Sequence, residues 1–592
     1  RNNLLLKEEQ LMFDGSTESL LQKFLQNNPQ TGNLGSLVQV FITRATELLA
    51  APNSDNVMLA WQTFNALFVI RAVSKYLVEM VPEYELCRHL DVQAERRVGN
   101  GPVESRDGLD NTVSCLSVFN RLQKKGGGFQ FVGTFFYVLI PTISLLHRDN
   151  TYYLHLECIN TMLVLMSVYM FAGVHVIFLF PAGLWNMITF NSTSRQTIYT
   201  HPPLDRQELQ ERVKKEHPVA NQSCLLLLTL ANHCMNDDNL YRNALLCCED
   251  TAGSHRSLNY ICKLLQLHKA LCATAGCEHS TLLLYLMLHS CNAYKRHISN
   301  VAQIDQLVIP ILQVLYNAPD NNNHHIYMSL IVLLILTEDD ALIKSVHLIM
   351  LKNLTWYTER AISEISLGGL MVLVILRALQ YNMIRVRDKY LHTNCLAAIA
   401  NMSCEFRNLH PYVAQRLISL FETLTKRRAR LCSEIEVFVG FYIQLKHWVL
   451  DEVLRMLLEI INSCVAHQLS NNCNVVYALL HKRHLFTQHT HHPVAQNIDM
   501  VIGYFSTRLQ RVQEGAGGDL GVTEVLQCIK KGAEQWSSDR LKKFPDLKFR
   551  YVEEERPEEF FTPYVWSLVN SCGGVYWASE GGARALGDLL AC

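Results

Sequence analysis

Apolar positions in this chain come in helix-length blocks separated by short polar breaks. The pattern is densest from Ile326 to Ser403, where no alternation of the strand kind competes with it. Thr337-Glu338-Asp339-Asp340 reads as a helix start, with Thr337 as the cap, Asp340 in the capping-box position and three acids facing the positive end of the helix dipole. Gly368-Gly369 is expected to weaken the middle of the next apolar run, since glycine costs a helix about 1 kcal/mol relative to alanine. Asn382 to Lys389 is polar and basic. Leu391 to Met402 follows as a helix in which Ala397, Ala398 and Ala400 allow close packing. Stacked helices account for this arrangement, because neighbours shield each other's apolar faces and leave a long surface free for binding. The fold expected is all-α: an irregular armadillo/HEAT-like helical solenoid with a C-terminal extended strap.

Breaks in the pattern divide the chain. Residues 1–90 form an N-terminal helical segment with loops at Pro29–Gly35 and Pro52–Asp55. Residues 91–128 read as a mobile linker, 129–200 as an apolar helical segment and 201–219 as a second linker. The main solenoid is expected over 220–511, a helix and strap over 512–569 and a disordered tail over 570–592. In the strap, Leu547, Phe549 and Tyr551 alternate with Lys548 and Arg550, the period of extended chain. Pro545, Pro557 and Pro563 are expected to keep this segment out of long helix. Its aromatic residues need burial, so a strap covering the apolar end of the array is preferred over a docking site rimmed by Glu553, Glu554 and Glu555.

Cys158 to Ser194 carries no charged residue, and Met162 to Phe180 is long enough to span a bilayer. A buried helix ending at Pro181-Ala182-Gly183 is the preferred reading, and a membrane anchor is the rival. A translated intron would produce the same glycine run and apolar stretch, which leaves open whether residues 172–218 belong to the expressed protein.

Composition narrows the function. Lys and Arg number 53 against 54 Asp and Glu, a balance without the basic excess of a general nucleic-acid binder. The 19 cysteines are scattered, odd in number and never spaced C-x2-C, so reduced, mostly buried thiols are expected. Asn-x-Ser/Thr occurs at Asn191, Asn221, Asn353 and Asn401, with the last two expected in helices and none expected to carry sugar in the cytosol. The first residue is Arg1, so the natural start is expected upstream.

The common catalytic constellations are not found: no G-x4-G-K-[ST], no G-x-S-x-G, no H-E-x-x-H. His481, His484, His489, His491 and His492, near Cys473, are the best metal candidate, and a metal-dependent enzyme built on them is a second rival. Solvated loop histidines are the preferred reading, so no catalytic, cofactor or metal residue is assigned. Arg385 and Arg387, with Lys389, are candidate partner contacts toward acidic lipid or an acidic segment, against the plainer reading of a solvated face. Asn401 is the third candidate. The helices Leu226–Asn232 and Cys395–Asn401 both end in Ala-Asn, as in armadillo-like repeats where the asparagine faces a partner's backbone. A helix C-terminal residue in left-handed geometry is preferred for Asn401.

ILTEDD (Ile335–Asp340), KNLTWYTERAISEISLGGL (Lys352–Leu370) and RDKYLHTNCLAAIANMS (Arg387–Ser403) resemble the dymeclin family. The resemblance extends to NNPQTGNLGSLVQVF (Asn27–Phe41), WQTFNALF (Trp61–Phe68), ANQSCLLLLTLAN (Ala220–Asn232) and RLKKFPDLKFRYVEEERPEEFFTPYVWSLV (Arg540–Val569). It implies a non-enzymatic scaffold, cytosolic and peripherally Golgi-associated, serving Golgi organisation and membrane trafficking and, in vertebrates, skeletal development. Golgi-associated proteins and the Golgi membrane are the partners implied, with no nucleic acid, cofactor or small-molecule substrate. The family's Met-Gly start resembles a myristoylation signal; it is absent from this sequence and no lipid site is assigned.

Overall fold

The computed structural model describes residues 5–6, 15–50, 57–82, 85, 89, 152–167, 206–233, 239–246, 248–250, 261–262, 264–299, 303–437, 441–489, 492–516 and 520–575. The fold is all-α. The strands among the described residues are two short ribbons, Glu249–Asp250 parallel to Ile261–Cys262 and Met350–Lys352 antiparallel to Glu364–Ser366.

From Pro218 onward the helices pack as two rows. The first row is Pro218–His233, Glu278–Ser290, Asn323–Leu336, Lys389–Ser403, Phe441–Gln468 and Ala495–Ala516, each resting on the next. The second is Leu264–Thr274, Asp305–Tyr316, Leu367–Tyr381, Pro411–Val437, Cys473–His481 and Val522–Glu534, in the same sequential contact. Each second-row helix also packs on a first-row neighbour. A helix so placed is enclosed on most sides, and its sequence must be apolar nearly all round. Asn323–Leu336 illustrates this, with every residue from Met328 to Leu336 buried. The first row continues toward the N-terminus: Val57–Met80 packs on Tyr152–Met166, which packs on Pro218–His233. There Arg71 and Glu157 form an ion pair with side chains only 4% and 5% exposed.

Several local expectations are corrected. Asp339, not Thr337, caps the helix Asp340–Val346, accepting from the amides of Ala341 at 2.8 Å and Leu342 at 3.4 Å. Thr337 closes the preceding helix, donating to the Leu334 carbonyl at 2.8 Å. Gly368 and Gly369 lie in the first turn of Leu367–Tyr381, where Ser366 Oγ caps the Gly369 amide at 3.1 Å. Glycine is needed there for space: a Cβ on Gly368 would sit 2.5 Å from the His347 ring. Asn353 is in a left-handed turn at φ 56° beside the short ribbon, not in a helix. The loop after it is pinned by rings, with Trp356 and Tyr357 packed on Tyr316 and Arg377 stacked 4.3 Å over the Tyr316 ring. Pro557 and Pro563 do not prevent helix. Pro557 opens Pro557–Cys572 at the position that has no amide to lose. Burial of Phe561, Tyr564, Val565, Trp566, Leu568 and Val569 on the same helix offsets the bond lost at Pro563.

The cysteines whose side chains are described are free thiols, and all but Cys404 and Cys473 are buried. Burial pushes the Cys464 thiol up to about 12. The linker 91–128, residues 168–205 with most of the proposed bilayer span, His491 and the tail 576–592 lie outside the described residues. Within that span, Met162, Leu163, Val164 and Met166 are buried in the helix Tyr152–Met166. Two other described helices, Val57–Met80 and Leu367–Val386, are long and apolar enough to cross a membrane, a composition that a buried core helix shares.

Candidate functional site

The first helical row carries an extended segment of the same chain. Residues 541–556 run without helix, and from Leu547 to Glu554 half-buried and exposed residues alternate strictly. Leu547, Phe549 and Tyr551 turn their side chains onto the core, while Lys548, Arg550 and Val552 face solvent. The segment lies lengthwise across the row, not over one end of it, which corrects the expected placement of the strap.

Side chains of the array hold the strap by its backbone. The Phe549 amide donates to Asn401 Oδ1 at 2.7 Å, and Asn401 Nδ2 donates to the Phe549 carbonyl at 2.9 Å. Asn497 grips Lys542 in the same way, at 2.9 Å for both bonds, and is itself oriented by Asn462 Oδ1 at 2.9 Å. Beyond Asn401, Glu338 Oε1 accepts from the Tyr551 amide at 2.8 Å. In extended chain the backbone groups of residues two apart point the same way, so Phe549 and Tyr551 present theirs to one side. As the strap number rises from 542 to 551, its partner's falls from Asn497 to Glu338, so the strap runs antiparallel to the order of the array.

Charge fixes the far end. Arg242 bonds both Glu553 oxygens, at 2.9 and 3.2 Å, and Tyr285 Oη donates to Glu553 Oε1 at 2.8 Å. The guanidinium is braced by the Ala231 carbonyl at 3.0 Å and Asn232 Oδ1 at 3.3 Å. Burial pushes the Glu553 carboxyl up, but the bonds and charge of Arg242, with the Tyr285 hydroxyl, pull it further down, and it is held below its usual range. Burial, with Tyr551 and Glu553 beside it, pushes the Tyr285 hydroxyl up, so it stays a donor. Lys548 pairs with Asp340 on the solvent side.

Asn401 is fully buried within the helix Lys389–Ser403, and its backbone is not left-handed. It faces an extended backbone, that of this chain's own strap. Asn232 meets the C-terminal segment through different atoms: its carbonyl accepts from Thr562 Oγ1 at 3.2 Å. Arg385 and Arg387 lie on the exposed turn between Leu367–Tyr381 and Lys389–Ser403. The turn is tied by Asn382, which accepts from the Asp388 amide at 2.9 Å and donates to its carbonyl at 2.7 Å, with Arg387 left-handed at φ 62°. Lys389 Nζ stacks over Trp448 at 5.1 Å. The basic turn therefore sits apart from the Asn401 clamp, with its own rigid frame.

The histidine group is dispersed. His489 is buried against Phe421, with Nε2 3.5 Å from Thr425 Oγ1, while His481 and His484 are exposed. Among the described residues no three His, Cys, Asp or Glu side chains converge as a metal set. Asn497, Glu338 and Arg242 are not contact candidates from sequence, and Glu553 is one only as part of the acidic rim of the less favoured docking site. Asn497 shares with Asn232 and Asn401 a buried side-chain amide, which the sequence does not set apart from the other amides on the same helices.

The comparisons with known proteins agree along the chain. The family described as "Dymeclin: Dyggve-Melchior-Clausen syndrome protein" matches residues 2–177 and 173–568. Dymeclin of Drosophila melanogaster is 44% identical over 649 aligned positions, covering 98% of this chain and 93% of its own length. Dymeclins of Xenopus laevis and Mus musculus are each 39% identical, over 96% of this chain and 90% of theirs. No solved structure matches.

Proposed function

The chain belongs to the dymeclin family, and from that premise we propose that it is a non-enzymatic scaffold supporting Golgi organisation and membrane trafficking. In this reading it is cytoplasmic and peripheral to the Golgi membrane, and its two helical rows are an irregular armadillo/HEAT-like solenoid that brings Golgi-associated proteins together. One observation carries the scaffold reading. An extended segment is held along the first row by side chains that address backbone amides and carbonyls, Asn497, Asn401 and Glu338. Contacts of that kind recognise extended polypeptide with little regard to its sequence, and side-chain pockets add the selectivity.

Complementation tests the proposal. In cells depleted of their own dymeclin, this chain should restore a compact Golgi ribbon and recover on Golgi membranes. A chain that is expressed and folded but leaves the Golgi dispersed would contradict it. The membrane-anchored rival is separated by alkaline carbonate extraction: a peripheral scaffold is released, whereas a protein anchored through Met162–Phe180 stays in the pellet.

A further inference from the structure

A cleft of about 280 Å³ opens where the strap turns into the last helix. Rings line it from both sides of that junction: Tyr327 and Tyr390 from the array, Tyr551 and Phe560 from the C-terminal segment. Three carboxylates, Asp388, Glu553 and Glu554, also line it, and among the described residues no lysine or arginine does. Glu553 is neutralised by Arg242. Asp388 spends one oxygen on the Leu391 amide at 3.2 Å, and among the described residues neither Asp388 nor Glu554 has an ion-pair partner. Burial pushes the Tyr327 hydroxyl up, and Tyr551, Glu554 and Asp388 add to the push, so the electronegative field reaches inside the cleft.

Aromatic faces and unpaired carboxylates around one small space attract the same thing, a desolvated cation. The volume falls at the lower edge of the roughly 300–1,000 Å³ of small-molecule pockets and suits a single side chain. Val552, between the lining residues Tyr551 and Glu553, is 80% exposed and leaves an apolar side chain beside the cleft. A planar guanidinium stacks on rings and forks onto carboxylates, which a compact ammonium does less well.

We propose that this cleft binds an arginine side chain of a partner protein, stacked among Tyr327, Tyr390, Tyr551 and Phe560 and paired with Asp388 and Glu554. The arginine touches array and strap together, so the site is whole only while the strap is seated, and its occupant stabilises that seating by mass action. The inference deepens the scaffold reading but fails separately from it, since Golgi complementation can succeed with the cleft empty.

The test uses the full chain and two peptides, acetyl-Gly-Leu-Arg-Leu-Gly amide and the same peptide with citrulline, which keeps the shape and removes the charge. Ligand-observed saturation-transfer NMR should detect the arginine peptide and show at least about tenfold weaker binding of the citrulline peptide. Tyr390→Ala, at an exposed position, and Glu554→Gln should each weaken the arginine peptide by about three- to tenfold. Asp388→Asn should do so while keeping the helix cap, because asparagine caps as aspartate does. Circular dichroism matching the parent chain shows that the variants remain folded. Equal binding of the two peptides, unchanged binding by the folded variants, or no signal at millimolar arginine peptide would overturn the proposal. So would choline binding more tightly than the arginine peptide, which would point to a lipid headgroup.

Discussion

The strap and the last helix are consecutive, yet they are held by opposite means. From Leu541 to Arg556 the chain is fixed mainly by its backbone and by the ion pairs of Lys548 with Asp340 and Glu553 with Arg242; Leu547, Phe549 and Tyr551 are only half-buried, and every second residue from Lys548 to Glu554 is exposed. From Pro557 to Cys572 it is fixed by side chains, with Phe561, Tyr564, Val565, Trp566, Leu568 and Val569 all buried. The last helix packs on Pro218–His233 and Glu278–Ser290 and shares their core. Burying that much apolar surface makes a permanent anchor, while hydrogen bonds exchangeable with water make a reversible one. The difference teaches that a tether can be made local: the helix keeps the strap near its groove, and the clamps decide whether it is seated.

The largest expected effect is on the anchor. Trp566, 1% exposed, is among the largest fully buried side chains, and Trp566→Ala should destabilise the protein by about 3–5 kcal/mol in chemical denaturation. A loss below about 1 kcal/mol would mean that the helix is no anchor.

Acid tests the array next. Burial lowers His268, His279 and His347 from 6.5 to about 4, helped at His268 by His297 and at His347 by Arg407. Below pH 6.5 the unfolded chain takes up protons that these folded histidines refuse until about pH 4, so stability falls as pH drops through that window. Between pH 7 and pH 5.5 the loss should be roughly 1 kcal/mol per histidine. Glu553 behaves differently: its folded carboxyl is held below the usual range, so its contribution is present above that range and is lost only as pH falls through the depressed value. Acid should therefore loosen the array before it releases the charged end of the strap. Denaturation midpoints between pH 7.5 and pH 5, read beside protease cleavage of the strap, would reveal the reverse order.

Asn401→Ala comes third. It leaves the Phe549 amide and carbonyl without their partner, at about 0.5–1.5 kcal/mol for each bond. Trypsin should then cut at Lys548 and Arg550 about tenfold faster, tracking the open population, while the denaturation midpoint moves little. A global loss of stability in this variant would join strap and array into one unit. Smallest is Arg385→Ala with Arg387→Ala on the exposed turn: stability should stay within about 0.5 kcal/mol, and proximity labelling in cells should show whether neighbours change.

Much of this was legible because periodicity reports burial. The helical blocks of Ile326–Ser403, the alternation of Leu547, Phe549 and Tyr551, and the polar turn at Asn382–Lys389 all appear in the structure. What stayed illegible depends on groups far apart in sequence. Asn401 and Phe549 lie 148 residues apart, and Arg242 and Glu553 lie 311 apart, so no local pattern pairs them. Asn353 was misread for a related reason: the apolar residues around it pack on the distant Tyr316, and a loop pinned by rings has the composition of a helix. The cap at Asp339 shows a finer failure. Thr337, Asp339 and Asp340 can each cap, and only the position of the first helical residue chooses among them.

Hydrogen exchange read by mass spectrometry tests the central claim most directly. Peptides covering 541–556 should exchange at least about a hundredfold faster than those covering 557–572, and Asn401→Ala should speed the strap further while leaving the helix unchanged. Strap and helix exchanging together at one rate, in parent and variant alike, would contradict a segment seated reversibly in its own groove.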